Sequence, residues 1–232
     1  MRQSFVSFLR RLTLLVGSFI LVLVATAGVA AAGAGGAHPH QGVVQPFTAG
    51  DPGVKLDKAA ETLLGQDKPY QTQIQSSGTA GRGLVVQDVR APTHIVWDRI
   101  LDFNSYSKMV PKTMESQIYK REKAGRAGAE RIWVRMKVGF TPAPRLTFFV
   151  NHLYQPQLHS MTWTLDYTRK SDFDDSCGYW YVIPHPQNKD WTRVYYSVEV
   201  SMFSWVPKFV VDFMSKQALT DAVRNMHFLV LL

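Results

Sequence analysis

Four side chains in the middle of the chain are of types that move protons: His152, His159, Asp166 and Tyr167. General acid–base chemistry needs such a group held inside a pocket, beside the reacting atom. The alternation of apolar residues sorts them. His152 shares parity with Leu146, Phe148 and Val150, so it is expected to point inward. Asp166 falls opposite Met161, Trp163 and Leu165, so it is expected to face solvent. None of the four sits in a G-x-S-x-G, P-loop or G-x-G-x-x-G motif. A lone inward histidine reads first as a hydrogen-bonded core residue. No catalytic residue is therefore assigned, and His152 stays as the candidate. Cys177 has no partner for an internal disulfide, and its apolar, aromatic surroundings read as a buried thiol. His38 and His40 lack a third metal ligand nearby. Asp172, Asp174 and Asp175 lack the glycine and distal glutamate of a calcium loop, and read as a solvated hairpin turn. Neither a metal nor a cofactor is expected.

The aromatic residues carry the stronger signal. They include Trp163, Tyr167, Tyr179, Tyr181, Tyr196, Phe209 and Phe213. They read as core, as the lining of an apolar pocket with tyrosine hydroxyls for polar contacts, or as both. Trp133 stands apart, between Arg131 and Arg135 on a charged strand face, and is expected to stack with those arginines.

These residues need elements to hold them, and the chain divides into three parts. Residues 1–11 are short and positive, residues 12–32 carry no charge, and A-x-A sites fall at Ala25–Ala27 and Ala30–Ala32. That is the layout of a secretory signal, and the apolar run also suffices for an uncleaved signal anchor. Either places the protein on the secretory route or at a membrane, with compartment and partner bilayer open. Residues 33–54 are rich in Gly, Ala, Pro and His and read as a flexible linker. The domain itself is expected over 55–232. The formal charge is +8, and without the three leader arginines it is +5, with no dense basic stripe, so nucleic acid is excluded as a partner.

Residues 55–67 predict a short helix and 71–80 a polar strand or loop. A strand at 83–90 is broken by Ala91-Pro92. Two short helices follow, the first with Ile95, Val96, Ile100 and Phe103 on one stripe. Then come strands at 114–122, 130–140, 146–154, 159–168, 177–184 and 191–203. Residues 130–140 alternate cleanly, with Ile132, Val134, Met136, Val138 and Phe140 on one side. Residues 207–230 predict a long helix with one broad apolar face.

The order is an α+β fold: a strand, two short helices, about six antiparallel strands, and a long C-terminal helix. The phrase VRAPTHIVWDRILDFNSYSKMVP (89–111), the tyrosine-rich last strand and the helix opening VPKFVVDFM at residue 206 resemble the START-like helix-grip superfamily. The resembling branch is that of polyketide cyclase/dehydrase and lipid transport, which includes coenzyme-Q-binding proteins. The resemblance implies a curved antiparallel sheet of six to seven strands wrapped around the C-terminal helix. It also implies a cavity between them for an isoprenoid quinone, lipid or sterol-like molecule. The lining expected from the strands is Met136, Val138, Phe148, Met161, Trp163 and Tyr167, then Tyr179, Tyr181, Tyr196 and Val198. The helix would add Phe209, Phe213 and Met214. A carrier is the leading reading. A cyclase or dehydratase using an inward His or Tyr, and a structural subunit of a membrane complex, are the alternatives.

Overall fold

A computed structural model describes residues 36–74, 82–125, 127–139 and 145–203. The leader and the expected C-terminal helix, with Phe209, Phe213 and Met214, lie outside the described residues. The order is α1 (Lys58–Gly65), β1 (Tyr70–Ile74), β2 (Arg82–Val89), α2 (Thr93–Leu101), a 3-10 turn (Phe103–Ser105), and α3 (Tyr106–Met109). Next come β3 (Thr113–Lys123), β4 (Glu130–Val138), β5 (Leu146–Gln155), β6 (Ser160–Leu165), β7 (Asp175–His185) and β8 (Asn188–Ser201). The strands form one antiparallel sheet of eight, in the order β1-β2-β8-β7-β6-β5-β4-β3. The added strand is β1, in the stretch whose polar sequence reads as strand or loop.

The sheet order dictates where the helices go. β2 sits second and β3 last, so the connection between them must cross six strand gaps, about 29 Å at ordinary spacing. It crosses one face, which we call inner. There α2 buries Val96, Trp97 and Ile100, and Phe103 follows them into the same cluster. Apolar residues at every second position of the strands meet these helices, as alternation requires. β3 is an edge strand, and two register irregularities and a run of charged side chains blunt it against further pairing.

The outer face of β2, β7 and β8 is covered too. α1 begins at Asp57, whose carboxylate accepts the Ala60 N–H at 2.8 Å. The helix lays Leu64 against Leu84, Val86, Tyr179 and Tyr195. Arg193 pins it. This residue is 4% exposed and donates to Asp88 at 2.7 and 2.9 Å and to Glu61 of α1 at 2.6 and 2.9 Å.

Residues 33–54 read as a linker, yet their described part is fastened to the domain. Lys170 N–H donates to Gly36 O, and His38 N–H donates to Tyr167 O. Val43 and Val44 N–H both donate to Asp175 Oδ2, at 2.6 and 2.7 Å. Cys177 Sγ lies 3.3 Å from Gln45 O, and Phe47 packs on Tyr179 with ring centroids 4.8 Å apart. Composition suggested a free path because the fixing groups are backbone amides and a remote carboxylate, which leave no local pattern. Gly42, at φ +111°, is required here: a Cβ would stand 2.7 Å from the Tyr167 hydroxyl oxygen.

The acidic turn is likewise not a solvated one. Asp175 is fully buried, and Asp172 accepts the Thr147 N–H at 2.7 Å. Asp166 is buried as well, against expectation. It accepts from the Tyr119 hydroxyl at 2.6 Å, and from the Thr168 hydroxyl at 2.6 Å. Its chelation of Thr168 also ends β6 at Leu165, earlier than alternation predicts.

Candidate functional site

The inner face offers the candidate site. Its floor is made by rows of residues paired across the strands. One row runs Ile132, His152, Trp163, Gly178, Val198, Gly83. The next runs Tyr154, Met161, Trp180, Tyr196, Val85. A third joins Met136 and Phe148. The glycine in the first row has a purpose. A Cβ on Gly178 would lie 2.2 Å from Trp163 Cζ2 and 2.5 Å from Ser197 O, so the indole can lie over the strand only because no side chain stands there. Trp163 then stacks with Tyr196 (centroids 5.7 Å apart, planes at 23°), and Tyr196 meets Trp180 at 4.1 Å. At the helical side Trp97 packs on Tyr154 and Phe103 on His152, at 4.8 and 4.4 Å. Tyr106 donates its hydroxyl to Ile100 O at 2.7 Å, and burial raises its pKa well above the ordinary phenol value.

Most strand residues expected in the lining are on this face: Met136, Val138, Phe148, Met161, Trp163, Tyr196 and Val198 belong to, or pack against, the inner cluster. Tyr167 lies at its margin, its hydroxyl committed to Asp175 at 2.8 Å. Tyr179 and Tyr181 are a correction. They sit on the outer face, in the cluster under α1. Between them Trp180 points inward, and the sequence reading missed it. In the stretch CGYWYVIP both faces are apolar, so alternation cannot say which one faces the core. Phe173 was missed as well. It lies in the acidic turn, yet it is 2% exposed and stacks on Phe148 at 4.3 Å. Trp133 is on the outer face as expected, but its cationic partner is Lys120, 4.1 Å from the ring centroid, rather than an arginine. Lys120 is its cross-strand neighbour, which sequence spacing along one strand cannot show.

His152 does point inward, and its surroundings define what it can do. It is 6% exposed, held between Phe103 and Trp163. Its Nδ1 lies 3.3 Å from the carbonyl of Ile132, its partner across the strands. A carbonyl only accepts, so Nδ1 carries the proton and Nε2 keeps a lone pair. Desolvation by burial lowers its pKa from 6.5 to about 3, against a small opposite pull from the Ile132 bond. At neutral pH the ring is uncharged. A general acid or base works best with a pKa near the operating pH, and burial moves this one away from it.

This sets a pH dependence. The unfolded chain protonates this histidine near 6.5 and the folded one near 3, so the unfolded state binds the extra proton between them. The stability that the neutral ring contributes is whole above about 6.5 and is lost progressively as pH falls toward about 3. Urea midpoints measured from neutral to mildly acidic pH will fall more steeply for the wild type than for His152→Phe.

His38 and His40 face each other edge-on at 4.7 Å, and His40 Nε2 lies 3.1 Å from Asp174 Oδ1. Among the described residues no group of three His, Cys, Asp or Glu side chains is placed to hold a metal ion. His159, the remaining acid–base candidate, is exposed in a left-handed turn at φ 50°.

A family model described as polyketide cyclase/dehydrase and lipid transport matches residues 89–227. The chain belongs to this family. The fold is that of START-like helix-grip proteins. A STAR-related lipid transfer protein fragment from Xanthomonas axonopodis superposes with a TM-score of 0.58 at 12% identity, covering 71% of this chain and 94% of that one. A START superfamily protein from Mycobacterium smegmatis gives 0.52 at 18% identity, covering 64% and 96%. No protein of curated function matches the chain by sequence. The family and the fold point to binding of a lipid or other hydrophobic ligand, in a family that also includes polyketide cyclases.

Proposed function

We propose that this domain is a non-catalytic carrier that holds a hydrophobic small molecule, an isoprenoid quinone or a lipid, against the inner face of its sheet. The aromatic floor of Trp163, Tyr196 and Trp180 carries this reading. Such a surface gains affinity from apolar burial, at about 25 cal/mol per Å², and from ring stacking. The burial of His152, which favours its neutral ring, and its bond to the Ile132 carbonyl favour a carrier over a cyclase that would use this histidine as its base. The leader brings the domain to a membrane, where such a ligand would be taken up or delivered.

Organic extraction of the purified protein, followed by mass spectrometry, will recover one class of hydrophobic compound in near-stoichiometric amount. Trp163→Ala will reduce that recovery several-fold while the circular dichroism of the sheet persists. Protein that yields no such compound, and that binds no fluorescent fatty acid after delipidation, would overturn the proposal.

A further inference from the structure

We infer that the inner-face site selects ligands carrying a hydroxyl group over matched ligands without one, with His152 Nε2 accepting the ligand's O–H; this rests on the ligand-binding reading above. The tautomer is the starting point. Because the Ile132 carbonyl takes the Nδ1 proton, Nε2 presents a lone pair and no hydrogen. No residue of the described chain donates to it. On a residue that is only 6% exposed such a nitrogen has little access to water, and a ligand donor would supply the bond it lacks. The ring is also fixed in place. Phe103 and Trp163 pack on it at 4.4 and 5.9 Å, so the lone pair has a set direction on the sheet's inner face rather than a range of them.

A second group asks for the same chemistry. Gln87 lies on β2 between Val85 and Val89 in parity, on the inner face, and is 4% exposed. Its Oε1 is buried with no hydrogen-bond partner. The inner face thus carries, besides the His152 ring, one buried acceptor without a donor in an otherwise apolar, aromatic surface. A ligand offering only carbonyl oxygens, such as an oxidised quinone, leaves both unmet. An alcohol, a phenol or the reduced, hydroxyl-bearing form of a quinone can donate to His152 Nε2. Discrimination of this kind is large relative to that of an apolar contact, because the penalty falls on a desolvated polar atom.

The test uses the delipidated full chain and two probes of nearly equal size, 2-naphthol and 2-fluoronaphthalene. Calorimetric titration will show 2-naphthol binding about two- to tenfold more tightly, the range of one neutral hydrogen bond. In His152→Phe, which keeps an aromatic ring between Phe103 and Trp163, this preference will vanish. The nitrogen resonance of wild-type His152 Nε2 will move when 2-naphthol is added and stay in place with 2-fluoronaphthalene. This measurement needs no variant, so it decides the matter even where His152→Phe fails to fold. Equal binding of the two probes with an unmoved resonance, or a preference that survives in His152→Phe, would overturn the inference and leave the carrier reading standing. Binding of neither probe would overturn both.

Discussion

Arg193→Met lowers the unfolding free energy by about 3–5 kcal/mol, the loss that follows removal of one partner from a buried ion pair. The guanidinium is 4% exposed, and so is Asp88 beneath it. Burial alone would lower the arginine pKa, but the bonds to Asp88 and Glu61 outweigh it and hold the group charged, above its ordinary value. Without Arg193, the side-chain partner left to Asp88 among the described residues is His185, whose Nε2 lies 3.1 Å from Oδ2. Glu61 is half exposed and rehydrates, so most of the loss belongs to Asp88 and to the detachment of α1. Urea denaturation measures the change, and a drop of roughly 10 °C in Tm accompanies it for a domain of this size. The double variant Arg193→Met, Asp88→Leu separates the causes. Removing both charges recovers most of the stability if the penalty is the stranded carboxylate. A single variant as stable as the wild type would show that the clamp is dispensable.

Asp175→Ala is expected to cost about 3 kcal/mol and to release residues 36–47 from the sheet. The carboxylate is fully buried and accepts four hydrogen bonds. Val43 N–H and Val44 N–H donate to one oxygen, and the Tyr167 hydroxyl and Ser176 N–H to the other, at 2.6 to 2.8 Å. Truncation leaves the Val44 and Ser176 amides buried without acceptors, which is the costly half of the asymmetry between making and stranding a hydrogen bond. Asp175→Asn keeps one acceptor oxygen and should lose about half as much. Limited proteolysis reads the local effect. Residues 39–46 resist cleavage in the wild type and are cut early in Asp175→Ala, before the sheet unfolds. Equal protection in the two proteins would show that the other contacts, the hydrogen bonds of Gly36, His38 and His40 and the packing of Val44 and Phe47, hold the segment without Asp175.

The two variants bear on the same architectural fact: at β2, β7 and β8 the sheet is covered on both faces. That fact explains where sequence reading worked and where it failed. On β4 one face is charged, so alternation placed Met136 and Val138 inward and Trp133 outward, as the structure has them. On β7 the outer face lies under α1 and the N-terminal segment, so its residues are as apolar as the inner ones. Period two then has no phase, and Tyr179 and Tyr181 were read onto the wrong face. The buried carboxylates failed for a related reason. Asp166 and Asp175 look like turn residues in sequence, because their donors come from Tyr119, Val43 and Val44, far away along the chain.

The local patterns were enough for the α+β class, the order of strands around two short helices, the helix-grip resemblance and the inward direction of His152. Each depends on periodicity, on proline and glycine punctuation, or on a contiguous phrase, and these act between neighbours in the chain. Packing was needed for the eighth strand, for the fastening of residues 36–54 and for the Arg193 clamp. It was needed as well for the Gly178 bed beneath Trp163, and for the bond that leaves His152 Nε2 as an acceptor. Those features depend on which remote backbone or side-chain atom comes within hydrogen-bond or van der Waals reach, and that distance is set by the register of the whole sheet.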